Sequence, residues 1–187
     1  MKEKMNILRQ MVDESSYIVF FGGAGVSTES GIKDYRSVDG LYSQRFAYPP
    51  ETMLSHSFYV SHTEGFYDFY RSKMLAPDAQ PNAAHLKLAE WERQGKLKAG
   101  ITQNIDNLHQ KAGSVEVLEL HGSAYRNHCQ RCGAFYGIER MVESRGVPRC
   151  SCGGVIKPDV VLYGESLDGD VITGALDAIS ACDLLIV

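Results

Sequence analysis

Residues 17–31 read YIVFFGGAGVSTESG, an apolar run that stops at clustered glycines. Such a β-branched and aromatic run is typical of a buried strand, and the glycines predict a tight phosphate-binding turn after it. Residues without a Cβ let backbone N–H groups approach a pyrophosphate closely, where a helix N-terminus adds a favourable field. The full dinucleotide fingerprint has a third glycine where Thr28 stands. The stretch alone therefore leaves both nucleotide binding and an ordinary glycine turn open.

The composition limits the classes of protein to consider. With 187 residues, 44% of them hydrophobic, the chain can bury one sizeable core, or one core and a small module. The net charge of -4 and the lack of a basic run give no reason to expect nucleic acid. No stretch reaches the about 18 consecutive apolar residues of a membrane span, and no signal-peptide core follows the start. We expect a cytoplasmic protein that binds neither nucleic acid nor membrane.

Strands and helices alternate around the glycine stretch. Helical spacing of apolar residues predicts helices over 4–12, 83–94 and 168–181. Apolar runs predict further strands over 97–101, 115–120 and 183–187. This alternation indicates a parallel sheet with helices on both faces, interrupted by two insertions.

Four of the five cysteines fall in one short segment. Cys129 and Cys132 are separated by seventeen residues from Cys150 and Cys152, which is close to a zinc pattern of two C-x2-C pairs. Four thiolates close a tetrahedral site and leave no position for a substrate, so we predict a structural zinc ion. Two alternatives stay open: two disulfides, which a reducing compartment disfavours, and His128 in place of one thiolate.

Several motifs accompany the glycine stretch and the cysteine pairs, in a fixed order along the chain. They are GAGVS at 23–27, DYR at 34–36, TQNIDNLH at 102–109 and LHG at 120–122. In this combination the chain resembles the sirtuins, the NAD-dependent protein-lysine deacylases, and most closely their short bacterial members. The resemblance extends along nearly the whole chain, which makes it far more specific than any one motif.

The resemblance implies an α/β fold: a Rossmann-like parallel sheet with helices on both faces, plus a small domain of a helical insert and a zinc ribbon. On this basis we assign residues 1–36, 83–125 and 158–187 to the NAD-binding domain, 37–82 to the helical insert and 126–157 to the zinc ribbon. Most aromatic residues of the insert are expected to fill its core. The active cleft is expected between the two domains.

The resemblance also implies a reaction and roles for particular residues. In sirtuins the acyl oxygen of a modified lysine attacks the nicotinamide ribose of NAD, nicotinamide leaves, and the acyl group passes to the ribose. His121 matches the histidine that accepts a proton from the ribose hydroxyls, and histidine is suited to proton transfer near neutral pH. Asn104 matches the second catalytic position and, with Gln103, lies beside the ribose. Ile105 and Asp106 match the contacts of the nicotinamide carboxamide.

Four further residues match the loop that covers the dinucleotide in the family. They are Ala24, Thr28, Tyr35 and Arg36, the last available to a phosphate. Tyr35 stands where the family usually has phenylalanine, and its ring is expected near the reacting ribose. A covering loop of this kind keeps water away from a reactive site.

Other departures from the family pattern concern conformation and acyl preference. Asn107 replaces a usual glycine, and asparagine tolerates the left-handed conformation. Members that prefer succinyl or malonyl groups carry Tyr-x-x-Arg, which aligns with YRSK at 70–73. Lys73 lacks the planar fork that grips a carboxylate, so we favour acetyl or another uncharged acyl group. Arg71 leaves the acidic alternative open.

The implied function is an NAD-dependent protein-lysine deacetylase, which transfers acetyl from lysine to ADP-ribose and releases nicotinamide. Residues 158–165 resemble the segment that pairs with the substrate backbone as an added strand. Two alternatives are a protein ADP-ribosyltransferase and a zinc-ribbon binding module with an inactive NAD site. The sequence ends at Val187 within a predicted strand, before the loops that hold adenosine in the family. We therefore expect a truncated chain with weak NAD binding.

Overall fold

The computed structural model describes residues 2–35, 37–38 and 40–187, with the backbone alone for Lys2. The strands are β1 (Ile18–Gly22), β2 (Leu97–Thr102), β3 (Val117–Glu119), β4 (Gly122–Cys129), β5 (Phe135–Tyr136), β6 (Ile156–Val160) and β7 (Leu184–Ile186). The helices are α1 (Lys2–Glu14), α2 (Pro50–Met53), α3 (His56–Ser61), α4 (Thr63–Lys73), α5 (Ala83–Arg93), α6 (Leu108–Lys111), α7 (Ile138–Glu143) and α8 (Gly169–Ala181). Short 3-10 helices cover Ala24–Ser30 and Leu41–Ser43.

The larger sheet is parallel, with the strand order β3-β2-β1-β7. The inner strand β1 is covered on both faces of the sheet. Ile18 and Phe20 pack in a cluster with α1 and α5, whereas Val19 packs on the opposite side with Ala175 and Ala178 of α8. A parallel sheet buried on both faces needs continuous apolar strands, which is the pattern that residues 17–21 show. The α/β prediction is confirmed.

Helix boundaries follow local capping chemistry. The Asn82 side chain accepts from the backbone N–H groups of Ala84 and His85 and so begins α5, and Gly95 follows its end with a φ of 75°. Asp168 caps α8 in the same way. Of the described side chains of α1, only Val12 is buried, and Met5 is 59% exposed. Among the helices of the described residues, none combines the length and apolarity that crossing a bilayer requires.

The smaller part of the molecule has an antiparallel sheet with the order β5-β4-β6. Its core joins this sheet to the helices α2–α4 in one hydrophobic cluster. The cluster contains the buried aromatic residues Phe58, Tyr59, Phe66, Tyr67, Phe69 and Tyr70. The Tyr67 hydroxyl also donates to the carbonyl of Ile156 at 2.6 Å, which links α4 to β6. The helical insert and the cysteine segment thus share a core, while their assigned boundaries stay a prediction.

Candidate functional site

The candidate site lies at the carboxyl ends of β1 and β2, which meet at one edge of the sheet. The turn after β1 begins the 3-10 helix Ala24–Ser30, and Gln103 follows β2 and donates its backbone N–H to the carbonyl of Gly22 at 3.0 Å. A Cβ on Gly23 would lie 3.0 Å from Oε1 of Gln103, so the glycine lets this amide approach the turn. A Cβ on Gly25 would meet nothing within 4 Å. This edge is where open α/β sheets bind ligands.

A chain of hydrogen bonds connects the two turns. The Asn104 side-chain amide donates to the carbonyl of Gly23 at 3.1 Å and to the Ser27 hydroxyl at 3.0 Å. Ser27 in turn donates to Oδ2 of Asp106 at 2.6 Å. Since Ser27 is only 1% exposed, its hydroxyl serves this network rather than solvent. Our sequence interpretation assigned no role to Ser27, although it belongs to the glycine motif, where a polar residue among small apolar ones was the available signal.

Asp106 is held by its following backbone as well. Asn107 has φ 61° and ψ 16°, and it is the single non-glycine residue with a positive φ in the described ranges. This left-handed turn begins α6 and brings the backbone N–H of Leu108 to 3.0 Å from Oδ1 of Asp106. The expectation that Asn107 supplies a glycine-like conformation is confirmed. Both carboxylate oxygens of Asp106 therefore have donors.

His121 lies at the same edge, in the two-residue turn between β3 and β4. Its Nδ1 is 2.9 Å from the carbonyl oxygen of Gln103. A carbonyl can only accept, so Nδ1 carries the proton and Nε2 of the neutral ring is left as an acceptor. The carbonyl of His121 accepts from Val161 at 3.0 Å. Gly122 has a φ of 73°, and a Cβ there would lie 2.0 Å from the carbonyl oxygen of Asp159, which explains the glycine in the Leu-His-Gly motif.

The segment of the predicted covering loop is joined to the chain after β6. The backbone N–H of Tyr42 donates to the carbonyl of Tyr35 at 2.9 Å, and the two rings meet edge to face at 5.6 Å. The hydroxyl groups of Tyr42 and Tyr163 share a hydrogen bond of 2.7 Å. Burial raises the pKa of Tyr35 to about 12, with Tyr163 and Asp106 adding to the effect. Tyr35 is therefore neutral at physiological pH and lies near Asp106.

The remaining predicted cofactor residues differ in their placement. Ala24 begins the 3-10 helix, and the exposed Thr28 donates its hydroxyl to the carbonyl of Gly25 at 2.9 Å. The Ile105 side chain packs against the core of the smaller part, and its carbonyl accepts from Ala124 at 3.0 Å. Arg36, predicted to bind a phosphate, lies outside the described residues. The structure thus gathers Gln103, Asn104, Asp106 and His121, whereas their roles stay predictions.

Two buried histidines lie behind the site, and the sequence interpretation missed them. The rings of His85 and His109 meet edge to face at 4.8 Å, and each is at most 2% exposed. Nδ1 of His85 accepts from the backbone N–H of Asn82 at 3.3 Å, whereas Nε2 of each ring has no protein partner among the described residues. Burial lowers the pKa of both, that of His109 to about 4 with help from His85. Both rings are therefore neutral at pH 7.

The cysteine segment forms a compact group of sulfur atoms. The Sγ atoms that lie within 4.8 Å of one another belong to Cys129, Cys132, Cys150 and Cys152. The shortest separations between the two sequence pairs are 3.5 and 3.6 Å, far longer than the about 2.05 Å of a disulfide. His128 is not in this group and packs against Phe135 instead. The geometry therefore disfavours both alternatives to a four-cysteine zinc site.

Neighbouring residues suit thiolate ligands. The Tyr136 hydroxyl donates to Sγ of Cys150 at 3.0 Å, and this bond, together with the backbone N–H of Cys152 and the neighbouring thiols, lowers the pKa of the Cys150 thiol to about 5. A Cβ on Gly154 would lie 2.6 Å from Sγ of Cys129, so a side chain there would crowd the ligand. Four sulfur donors fit one structural zinc ion, with no further ligand position for a substrate.

Comparison with known proteins agrees with this geometry. The Sir2 family model matches residues 23–187. The chain is 58% identical to an NAD-dependent protein deacetylase of Clostridium acetobutylicum, over 99% of this chain and 77% of that protein. It is 54% identical to a protein of the same name from Clostridium perfringens, over 100% of this chain and 78% of that one.

Solved structures of similar proteins have the same fold. One is a Sir2 protein with a p53 peptide and NAD+, with a TM-score of 0.82 and 39% identity over 97% of this chain and 73% of that one. Another is a Sir2 protein bound to an acetylated peptide, with a TM-score of 0.81 and 37% identity over the same shares.

Proposed function

Because the chain belongs to the Sir2 family, we propose that it is an NAD-dependent protein-lysine deacetylase that moves acetyl from lysine to ADP-ribose and releases nicotinamide. The observation that carries the proposal is the hydrogen bond from Nδ1 of His121 to the carbonyl of Gln103. It leaves Nε2 as a proton acceptor beside the linked Asn104, Ser27 and Asp106. Relatives at 54% and 58% identity bear the name of this activity.

The edge of the sheet suits NAD as co-substrate. The glycine turn leaves open space at Gly25, and the carboxylate of Asp106 retains lone pairs beyond its bonds to Ser27 and Leu108. A carboxylate of this kind accepts from the amide of a nicotinamide carboxamide. Bound there, NAD supplies a ribose carbon that gives up nicotinamide and takes the acyl oxygen.

His121 is the general base in this proposal. Its Nε2 accepts a proton from a ribose hydroxyl, and the bond from Nδ1 to Gln103 fixes the tautomer and the ring orientation throughout. The imidazolium that forms keeps this bond, which becomes charge-assisted and stronger. The backbone carbonyl thus plays the orienting part that a carboxylate plays in other catalytic histidine sites.

In this proposal Asn104, oriented by its hydrogen bond to Ser27, binds the ribose. The Asn104 amide nitrogen uses both hydrogens, on Gly23 and Ser27, which leaves its Oδ1 as an acceptor for a ribose hydroxyl. The ring of Tyr35 is half-buried near Asp106, and in this proposal it helps to exclude water from the reacting carbon.

The substrate is proposed to be an acetylated lysine of a protein, presented on an extended backbone. β6 is an edge strand in the order β5-β4-β6, and the Ile156 N–H at its start donates to the carbonyl of Pro148 at 3.0 Å, so the proposed peptide would pair with the end of β6 towards Val160. An added strand pairs through backbone groups and is largely indifferent to sequence, so broad peptide tolerance follows. Val161 donates its backbone N–H to the carbonyl of His121 just beyond β6, and this contact supports a peptide position next to the base.

The four cysteines provide the site for one structural zinc ion, which stabilises the antiparallel sheet and takes no part in the reaction. Thiolate ligands persist in a reducing compartment, which supports the further proposal that the protein acts in the cytoplasm.

The test is incubation of an acetyl-lysine peptide with and without NAD, followed by mass spectrometry. Deacetylation that requires NAD and is lost in His121→Ala, but kept in the control His62→Ala, supports the proposal. Loss of acetyl without NAD, or full activity of His121→Ala, contradicts it. Transfer of label from NAD to protein without deacetylation would identify an ADP-ribosyltransferase instead.

A further inference from the structure

Four tyrosine side chains form a connected group near the candidate site, and we call them the tyrosine wall: Tyr35, Tyr42, Tyr70 and Tyr163. Tyr42 connects two of them, through its ring contact with Tyr35 at 5.6 Å and its hydroxyl bond to Tyr163 at 2.7 Å. Tyr35 packs against the hydrophobic cluster that contains Tyr70. The wall therefore combines residues from three separate parts of the sequence.

The wall borders the place where His121 acts. Val161 donates its backbone N–H to the carbonyl of His121 at 3.0 Å, and Tyr163 lies two residues further along. Backbone bonds at 3.1 Å to Leu54 and at 2.9 Å from His56 fix Tyr163 against the helical insert. On the other side Tyr35 is near enough to Asp106 for that carboxylate to raise its pKa. Tyr163 and Tyr35 therefore lie near the segments that hold His121 and Asp106.

The hydroxyl groups of the wall have hydrogen-bonding capacity to spare. Tyr70 is 0% exposed, and its hydroxyl has no protein partner among the described residues. A buried hydroxyl without a partner is unfavourable, and a ligand that supplied one would gain from it. Tyr163 is 50% exposed, and each hydroxyl of the Tyr42–Tyr163 pair retains a lone pair for another donor.

The tyrosine wall presents uncharged hydroxyl groups to a ligand. Burial raises the pKa of Tyr42 and Tyr70 above the usual range, so both phenols stay protonated. Arg71, the residue that left an acidic acyl group open, donates to the carbonyl of Gly146 at 2.7 Å and to Asp68 at 2.8 Å. A carboxylate in the acyl chain would thus find no charge partner at Arg71, whereas an uncharged hydroxyl would find donors and acceptors.

We propose that the tyrosine wall is a specificity determinant that favours lysine acyl groups bearing a hydroxyl over alkyl acyl groups of the same carbon number. The inference rests on the proposed deacylase function and names a substrate class for that site. An alkyl chain displaces water from the phenol hydroxyls and forms no hydrogen bond with them. A hydroxylated chain displaces the same water but forms a new hydrogen bond with a phenol in its place. One such bond corresponds to a preference of about threefold to tenfold in kcat/KM.

The experiment uses one peptide sequence with acetyl, butyryl or 3-hydroxybutyryl on its lysine, and the full chain with NAD. For each variant the ratio of kcat/KM for 3-hydroxybutyryl to that for butyryl is measured, so that a general loss of activity cancels. Fluorescence anisotropy of the same peptides without NAD gives the ratio of affinities. We expect a ratio above about 3 in the wild type, reduced to about 1 in Tyr163→Phe and in Tyr42→Phe.

Tyr48→Phe is the matched control, because Tyr48 is 47% exposed and is not a member of the wall. It should keep the wild-type ratio. A wild-type ratio of 1 or below, or a ratio that survives both wall substitutions, overturns the inference. Absence of NAD-dependent removal of acetyl itself would refute the proposed function, and the anisotropy ratio would then still decide whether the wall selects hydroxylated acyl groups.

Discussion

The hydroxyl of Ser27 donates a hydrogen bond of 2.6 Å to the carboxylate of Asp106, across 79 residues of sequence. The bond joins the glycine turn after β1 to the polar turn after β2 and fixes the position of the carboxylate at the proposed nicotinamide site. A buried hydroxyl bound to a charged group makes one of the stronger hydrogen bonds in proteins.

We expect Ser27→Ala to lower kcat/KM for an acetyl-lysine peptide by about tenfold to a hundredfold, because Asp106 and Asn104 both lose a partner and shift within the site. The free energy of unfolding should fall by about 1–3 kcal/mol, since the half-buried side chains of Asn104 and Asp106 each lose one hydrogen-bond partner. Steady-state kinetics and urea unfolding measure the two effects. Ser61→Ala, at an exposed serine that bonds its own helix, is the control and should change neither.

The sharp turn at Gly122 is the next feature to test. Gly122→Ala should lower the free energy of unfolding by about 2–4 kcal/mol, because the new Cβ would lie 2.0 Å from the carbonyl oxygen of Asp159 and the φ is 73°. Gly95→Ala is the matched control, since its φ is 75° and its Cβ would meet nothing within 4 Å. It isolates the cost of backbone strain, about 1 kcal/mol. Equal losses in the two variants would show that the close approach to Asp159 has no energetic weight.

Removal of zinc should unfold the antiparallel sheet first. In Cys150→Ser we expect the zinc content, measured by atomic absorption, to fall well below one ion per chain, and the melting temperature to fall by several degrees. The sheet is affected because β4 carries Cys129, and the core around it includes Cys150. The control is Cys182→Ser, because Cys182 is not one of the four clustered cysteines. Its thiol donates to the carbonyl of Ile179 in α8 at 3.2 Å. A full zinc complement in Cys150→Ser would contradict the four-sulfur site.

Local sequence patterns predicted the elements, but they did not predict the contacts between distant elements. The run at 17–21 and the cap at Asn82 determine structure within a few residues, so the strand and the helix were predictable. The bond between Ser27 and Asp106 and the contact between His85 and His109 depend on how separate elements pack. No pattern within one element specifies such pairs. The positions of Asp106 and His121 after predicted strands indicated ligand-binding groups, and the resemblance to a family gave them their roles in one site.

The exposed face of α1 is a second case in which local sequence did not determine a contact between elements. The spacing of Met5, Leu8, Met11 and Val12 predicts an amphipathic helix, and the helix is present. Val12 is buried, whereas the side chains of the other three are exposed. Periodicity determines which residues share a face of a helix and does not determine which neighbour covers it. The prediction of the element was therefore correct, whereas the burial of its apolar face was not specified by the sequence.

The buried histidine pair should make stability depend on pH. The pKa of His109 is lowered from 6.5 to about 4 by burial and by His85, although Asp106 and Glu92 oppose the shift. Between about pH 6.5 and pH 4 the unfolded chain therefore binds a proton at this ring and the folded protein does not. The free energy of unfolding should consequently fall as the pH is lowered through this window, by about 3 kcal/mol at most from His109. The lowered pKa of His85 acts in the same direction.

Urea unfolding at several pH values between 7.5 and 4 measures this dependence. His109→Gln removes the titrating group and should flatten the slope in that window, even if the variant is less stable at pH 7, because the linkage depends only on the difference in protons bound. His62→Gln, at an exposed histidine of the helical insert, should keep the wild-type slope. A slope that is unchanged in His109→Gln would mean that this ring is protonated equally in the folded and unfolded states.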